Sequence, residues 1–322
     1  MGIAIGEAKR GLGIVSPNPP VGCVVLNRNG QLIAKGHHRG PGTPHAEIEA
    51  LSQVKKEELA GATFVVTLEP CSHFGRTPPC ADALAKLPIE KVIYGRLDPN
   101  PVVHGRGVAK IKEAGIEALP IDCFQNELKR LIEAFEFNQK SKKAFISLKV
   151  ASTLDGKMAH VSGESQWITN EKSRAVVHEL REEHDAVMVG SNTVLVDNPK
   201  LDIRNVPTKR RCNRVVVIDP NGEALRKSAR LRLIEGRDPD DIVFVTNRPN
   251  WDLPFQQISA FEAGGNLNFD RLKSTLFEMG ICSVLVEGGS VLYSTLLEQN
   301  AVNRIHVFLA PSILGDLSGV AW

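Results

Sequence analysis

Residues 63–86 read Thr63-Phe64-Val65-Val66-Thr67-Leu68-Glu69-Pro70-Cys71-Ser72-His73-Phe74-Gly75-Arg76-Thr77-Pro78-Pro79-Cys80-Ala81-Asp82-Ala83-Leu84-Ala85-Lys86. The first six are β-branched or apolar and predict a buried strand. Pro70 cannot continue a central strand, so Cys71 falls just past the strand end. Pro78-Pro79 then leads into an Ala/Leu-rich helical run. Cys80 lies at or near the start of that helix, where the dipole favours a thiolate. Strand, loop and helix in this order make one unit of a layered α/β domain, with reactive side chains at the strand end and the helix start.

Upstream, Pro44-His45 precedes a second helical stretch, Ala46-Glu47-Ile48-Glu49-Ala50-Leu51, and Pro is well placed at a helix start. His45, Cys71 and Cys80 therefore offer one imidazole and two thiolates from element ends. Three such donors with a fourth position left open suit a catalytic zinc. The metal lowers the pKa of a bound water to about 7. Glu47, two residues from His45, is a carboxylate outside the ligand set, placed to move protons. His-x-Glu followed by Pro-Cys is the pattern of zinc-dependent nucleobase deaminases, with Glu as general acid and base. There the second Cys follows after two residues; here it follows after eight, Ser72 to Pro79. Alone, a His-x-Glu is more often a solvated helix turn, and two cysteines are more often small buried hydrophobes. Their combination at three element ends predicts a metal centre. Cys23, Cys123, Cys212 and Cys282 read as unpaired thiols.

Outward from this site, 21–26 and 31–36 read as a hairpin around Asn27–Gly30. Residues 91–95 are another strand, and 107–114 a helix ended by Gly115. A helical run from Asn126 to Gln139 carries Leu128, Leu131, Ile132 and Phe135 at helical spacing and reaches Ser141-Lys142-Lys143, the best linker. The expected organisation is 1–122 as a first α/β domain of mixed pairing, 123–143 as connecting helix and linker, and 144–322 as a second α/β domain. No Gly-x-Gly-x-x-Gly follows the first strand of that second half. Gly288-Gly289-Ser290, between a strand and a helical run, reads either as an anion site at a helix start or as a tight turn. With 39 basic against 37 acidic residues, nothing suggests a nucleic-acid surface. No apolar stretch approaches the roughly 20 residues needed to span a bilayer. The start of the chain lacks the basic region and apolar core of a signal peptide. Six cysteines, two of them assigned to metal, argue against a disulfide scaffold, and the cytoplasm is the expected compartment.

Three stretches resemble the bifunctional riboflavin-biosynthesis deaminase/reductase (RibD/RibG) family. They are Ser16-Pro17-Asn18-Pro19-Pro20-Val21-Gly22, His45-Ala46-Glu47, and the run from Thr67 to Cys80, whose long spacer is specific to that family. The second half resembles the same family in Lys149–Lys157, Ser165–Thr169, Val189-Gly190 through Leu201 to Arg204, and Val286–Gly289. The resemblance implies a cytidine-deaminase-like α/β/α domain with a mixed sheet, followed by a dihydrofolate-reductase-like α/β domain. It implies zinc and NADPH as cofactors. The implied reactions are hydrolytic loss of the ring 2-amino group from 2,5-diamino-6-(5-phosphoribosylamino)pyrimidin-4(3H)-one, then reduction of the product's ribosyl group to ribityl.

Residue by residue, the resemblance implies zinc on His45, Cys71 and Cys80, proton transfer by Glu47, and first-substrate contacts at Asn18, His37 and Arg76. In the second half it implies cofactor contacts at Ala151, Trp167, Thr193, Asp197 and Gly289 to Thr295 (Gly289, Ser290, Val291, Leu292, Tyr293, Ser294, Thr295). Its substrate contacts fall on Ser165, Arg181, Leu201, Arg204 and Glu287, with Arg181 and Arg204 as a phosphate clamp. For Arg181, the residues alone favour a surface ion pair with Glu179, Glu182 or Glu183. Asp219-Pro220 departs from the small polar residue often found there. Members of the family continue beyond this chain's last residues, so a truncated sheet edge and a possible homo-oligomer are expected. Two other readings stand beside this one. One is a monofunctional deaminase with an inactive, nucleotide-binding second half. The other is a binding module with a purely structural, four-ligand zinc in which His73 is the nearest fourth candidate.

Overall fold

The computed structural model describes residues 1–322 except 76, 102, 160–169, 206–211, 248, 250, 251, 316–319 and 322. Arg76, Ser165 and Trp167, named above, lie outside the described residues. The chain divides into two compact units, Met1–Ser141 and Lys142–Trp322.

The first unit runs α1 (Gly2–Lys9), β1 (Gly22–Leu26), β2 (Leu32–His37), α2 (Ala46–Leu51), β3 (Thr63–Leu68), α3 (Cys80–Leu84), β4 (Lys91–Arg96), α4 (Arg106–Glu113), β5 (Glu117–Pro120), α5 (Gln125–Leu131) and α6 (Glu133–Ser141). Its sheet has the order β2-β1-β3-β4-β5. The first two ladders are antiparallel and the last two parallel, so the sheet is mixed. Strand periodicity sorts the side chains to two faces. Cys23, Val25, Phe64 and Val66 pack under α2, α3 and α4 through Ala46, Ala50, Ala81, Leu84 and Ile111. Val24 and Val65 face α1 at Ala4. The result is a three-layer α/β/α unit.

Two glycines let helices press onto strands. A Cβ on Gly36 would lie 2.6 Å from both Ala46 O and Ala50 N. One on Gly107 would lie 1.9 Å from Pro70 O. Gly36 thus seats the helix that begins after His45, and Gly107 seats α4 beside the loop that carries Cys71. The single helical run expected over 126–139 is two helices. Ile132 leaves helical geometry at φ −108°, ψ 10°. It is buried with Leu131, Leu68 and Ala8, so α5 ends where its last turn enters the core.

The second unit runs β6 (Phe145–Thr153), β7 (Lys157–Ala159), α7 (Glu171–Glu183), β8 (Ala186–Gly190), α8 (Ser191–Asp197), β9 (Arg214–Ile218), α9 (Glu223–Arg226), β10 (Ile242–Val245), β11 (Gln256–Ile258), α10 (Phe269–Glu278), β12 (Ser283–Val286), α11 (Ser290–Glu298), β13 (Arg304–Ala310) and β14 (Val320–Ala321). Its seven-stranded sheet has the order β11-β10-β9-β8-β12-β6-β13. Every described ladder in it is parallel. The inner strands are apolar on both faces, as a sheet covered on both sides requires. Met188, Val216 and Val286 meet α10 and α11 through Leu272, Leu276 and Leu296. Val187, Val217 and Phe244 meet α8 and α9 through Val194, Ala224 and Leu225. No described helix is long and apolar enough to cross a membrane.

Candidate active sites

His45 is the N-cap of α2 in extended geometry, Cys71 follows the end of β3, and Cys80 opens α3 with Pro79 as its N-cap. These three ends converge. His45 Nδ1 lies 3.4 Å from Cys71 Sγ and 3.4 Å from Cys80 Sγ. The three donor atoms all lie within 4.8 Å of one another. A tetrahedral zinc with ordinary bond lengths separates its N and S donors by roughly 3.5 Å, so the donor set fits that ion without rearrangement. Cys71 Sγ also accepts the Cys80 backbone N–H at 3.2 Å. Hydrogen bonding from the Cys80 thiol, then from His45 and that N–H, holds the Cys71 thiol down at about 4. Cys80 moves the other way, pushed up by its bond to Cys71 and by burial. Glu47 is 3 % exposed. Burial, reinforced by the negative Cys71, pushes its carboxyl up to about 7. A carboxyl there suits giving and taking protons near neutrality.

These groups form one wall of a cavity of about 360 Å³, also lined by Asn18, His38, Thr77, Asp98, Asn100 and Phe135. His38, not His37, faces it. The alternation of β2 turns the neighbouring ring away, and His37 Nδ1 lies 3.4 Å from Glu7 Oε2. His38 Nδ1 meets the Pro44 carbonyl at 3.2 Å. A carbonyl only accepts, so Nδ1 carries the proton and Nε2 accepts from Asn18 Nδ2 at 2.9 Å. Asn18 is thereby oriented, with its amide oxygen as the acceptor end. Glu69 is buried and accepts four backbone N–H groups. Oε2 takes Asp98 N at 3.2 Å and Gly105 N at 2.9 Å, and Oε1 takes Gly107 N at 2.9 Å and Val108 N at 3.2 Å. It fastens the loop that carries Asp98 and Asn100. Burial pushes the Asp98 carboxyl up to about 6. Glu69, His38, Asp98 and Thr77 were not singled out from sequence, because their roles depend on which distant loop returns to them.

In the second unit, a cavity of about 480 Å³ lies at the ends of β8, β9 and β12. There the strand order reverses direction, the usual ligand crevice of a parallel sheet. Gly190, Thr193, Gly289, Ser290, Val291, Leu292 and Thr295 line it. Among the described residues, four others expected on the cofactor are not among its lining. The Tyr293 hydroxyl turns inward, donating to Lys149 O at 2.7 Å and accepting Gly288 N–H at 3.0 Å. Ser294 and Asp197 are exposed, and Ala151 lies on β6 opposite Phe308 of β13.

Glu287 follows β12 and is gripped by Arg181. Nε donates to Oε1 at 2.5 Å, Nη2 to Oε2 at 3.0 Å, and Nη1 to Asp202 O at 2.8 Å. Lys149 Nζ is 3.6 Å from Oε2. Burial pushes the Glu287 carboxyl up, but Arg181 and then Lys149 outweigh it and hold it at about 2. Arg181, its side chain 11% exposed, is thus buried against a distant carboxylate and not a surface residue. Arg204 is exposed and pairs with Asp202 at 2.5 Å. Leu201 sits at φ 52°, a left-handed conformation costly for a branched side chain. Arg237 holds it there, donating to Leu201 O at 2.7 Å and Lys200 O at 2.9 Å.

Comparison with known proteins matches residues 1–96 to the cytidine and deoxycytidylate deaminase zinc-binding region and residues 144–321 to the RibD C-terminal domain. The chain is 40% identical to the riboflavin biosynthesis protein RibD of Aquifex aeolicus, over 98% of this chain and 87% of that one. It is 35% identical to the protein of that name from Escherichia coli K12, over 98% and 88%. Among solved structures, a diaminohydroxyphosphoribosylaminopyrimidine deaminase/5-amino-6-(5-phosphoribosylamino)uracil reductase from Thermotoga maritima superposes with a TM-score of 0.86 at 38% identity, covering 100% of this chain and 88% of that one. Acinetobacter baumannii RibD, form 1, gives 0.84 at 36%, covering 99% and 88%.

Proposed function

The chain belongs to the RibD family of riboflavin-biosynthesis enzymes, and from that premise we propose that its two cavities carry the family's two steps on the residues described above. The enzyme is bifunctional. It deaminates 2,5-diamino-6-(5-phosphoribosylamino)pyrimidin-4(3H)-one hydrolytically to 5-amino-6-(5-phosphoribosylamino)uracil, then reduces the ribosyl group of that product to ribityl. The observation that carries the first step is the approach of one imidazole nitrogen to two thiol sulfurs beside a buried carboxyl.

Zinc held by His45, Cys71 and Cys80 supplies the Lewis acidity that makes water reactive at neutral pH. Glu47 accepts a proton from the attacking water, delivers it to a ring nitrogen, and protonates the departing ammonia. Water adds and ammonia leaves at the same carbon, so no redox partner is needed. The Asn18 amide oxygen accepts from an N–H of the pyrimidine, and Asp98 and Asn100 close the far wall. Against a purely structural zinc stands the cavity that His45, Cys71 and Glu47 line, which leaves room for substrate beside the donor set.

In the second unit NADPH supplies the hydride. Gly289, Ser290 and Thr193 receive the cofactor. Leu201, Arg204, Arg181 and Glu287 hold the sugar phosphate and its hydroxyls. Near-balanced charge, 39 basic against 37 acidic residues, supports a chain that works on small molecules without a nucleic-acid partner. Glu47→Gln keeps zinc at one equivalent and abolishes ammonia release; wild-type ammonia release by that variant refutes the assignment. NADPH oxidation by this chain, supplied with the deaminated substrate, tests the second step directly.

A further inference from the structure

The eight residues between Cys71 and Cys80 do more than lengthen a loop. Thr77 Oγ1 lies 3.2 Å from His45 Nε2. The opposite nitrogen of that ring, Nδ1, faces both sulfurs at 3.4 Å. An imidazole that gives Nδ1 to a metal carries its proton on Nε2, and that N–H needs an acceptor. Among the described residues, the partner bonded to Nε2 is the Thr77 hydroxyl.

We propose that Thr77 is the outer positioning partner of the zinc ligand His45, fixing its tautomer and ring orientation, and that the long spacer is what brings the hydroxyl there. This rests on the deaminase reading above and deepens it. Thr77 stands three residues before Cys80. In a Cys-x-x-Cys spacing that position is the first cysteine itself, so the short spacing has no residue to offer.

The local backbone ties Thr77 to the ligands. Gly75 N donates to Thr77 O at 3.3 Å, and Ala81 N to Cys71 O at 3.0 Å. Pro78 and Pro79 each lock φ, and a residue before proline is held extended. Thr77 and Cys80 therefore move as one piece. The His45 ring also meets that of His38 edge-on, with ring centroids 5.1 Å apart. A hydroxyl is also neutral. Two thiolates already cancel the charge of a zinc ion, and a carboxylate in the place of Thr77 would make the site anionic and its water less acidic. A neutral outer partner orients the imidazole without that penalty.

The test uses the full chain with Thr77→Val, which keeps the shape and removes the hydroxyl, and Thr77→Ser, which keeps the hydroxyl. Zinc affinity is read by competition with a chromophoric chelator. The ligand field is read from the visible spectrum of the cobalt-substituted chain. Thr77→Val is expected to bind zinc about 10- to 100-fold more weakly and to shift the cobalt bands, while Thr77→Ser stays near wild type on both. Wild-type affinity and an unchanged spectrum in Thr77→Val overturn the proposal, as does an equal loss in Thr77→Ser. Circular dichroism melts of the zinc-free chains separate a folding defect from loss of metal. If Thr77→Val does not fold, Thr77→Ala removes the same hydroxyl and is read in its place. A wild-type chain that binds no zinc overturns both this inference and the deaminase reading. One that binds zinc but releases no ammonia overturns the reading alone, because the Val/Ser contrast in affinity still decides the role of Thr77.

Discussion

Replacing Glu69 by Gln changes one oxygen to an NH₂ group and leaves the volume nearly the same. In the native chain each Glu69 oxygen accepts two backbone N–H groups, at 2.9 and 3.2 Å on each side. A glutamine oxygen can serve one pair; its NH₂ then points at the other pair, donor against donor. Two donors are left without an acceptor at a site only 3 % exposed. Each costs about 1–3 kcal/mol, so the substitution costs about 2–6 kcal/mol, a large part of the roughly 5–15 kcal/mol that holds a domain folded. For a unit spanning Met1–Ser141 this lowers the melting midpoint by roughly 6–24 °C. Differential scanning calorimetry of the full chain at saturating zinc is the assay, since the two units give separable transitions if only the first is weakened. The loop carrying Asp98 and Asn100 loosens with it, so the KM for the diaminopyrimidine rises more than kcat falls. A first transition within about 1 °C of wild type refutes the reasoning, because four hydrogen bonds of this kind cannot be half removed without cost.

Asp98→Asn should stabilise the first unit at alkaline pH. The Asp98 carboxyl is raised by burial from its ordinary 3.8 to about 6, so its favourable contribution is complete below 3.8 and is lost as pH rises through 6. The variant then melts a few degrees higher at pH 8 and close to wild type at pH 4, and a gain at pH 4 equal to that at pH 8 sinks the argument. The two arginines proposed for the substrate should separate. Arg204→Met leaves stability within about 1 kcal/mol, since an exposed pair contributes little, but raises the reductase KM in a salt-dependent way. Arg181→Met leaves the buried Glu287 to the more distant Lys149 and costs about 3–5 kcal/mol, measured as denaturant midpoint, and equal stabilities for the two variants count against it.

The zinc set was legible because each ligand stands at an element end marked by proline. Pro44, Pro70 and Pro79 each punctuate the backbone beside a ligand, so local rules alone put three donors at the starts and ends of elements that a layered domain brings together. His37 and His38 show where such rules stop. Adjacent strand residues point to opposite faces, and which face holds the cavity depends on how α2 sits on β2. That seating is set by Gly36 meeting Ala46 O and Ala50 N, a contact between segments ten residues apart. The break at Ile132 is similar: an unbroken 3.6-residue pattern through 126–139 does not show that the residue at its middle is drawn under β3.

In the second unit the limit is sequence separation. Arg181 has three acidic neighbours along its own helix, and any local rule pairs it with one of them. The structure pairs it with Glu287, 106 residues later, because α7 leads into β8 and β8 lies beside β12, the strand that ends just before Glu287. That pairing also changes what Arg181 can do. Its Nε, Nη1 and Nη2 donate to Glu287 and Asp202, and a carboxylate matches its charge. Any anion it meets is met by a preassembled Arg–Glu unit, whereas Arg204 is exposed and its described side-chain partner is Asp202, two residues away. The two arginines that the resemblance puts at the substrate phosphate thus stand differently, Arg181 buried against Glu287 and Arg204 exposed beside Asp202.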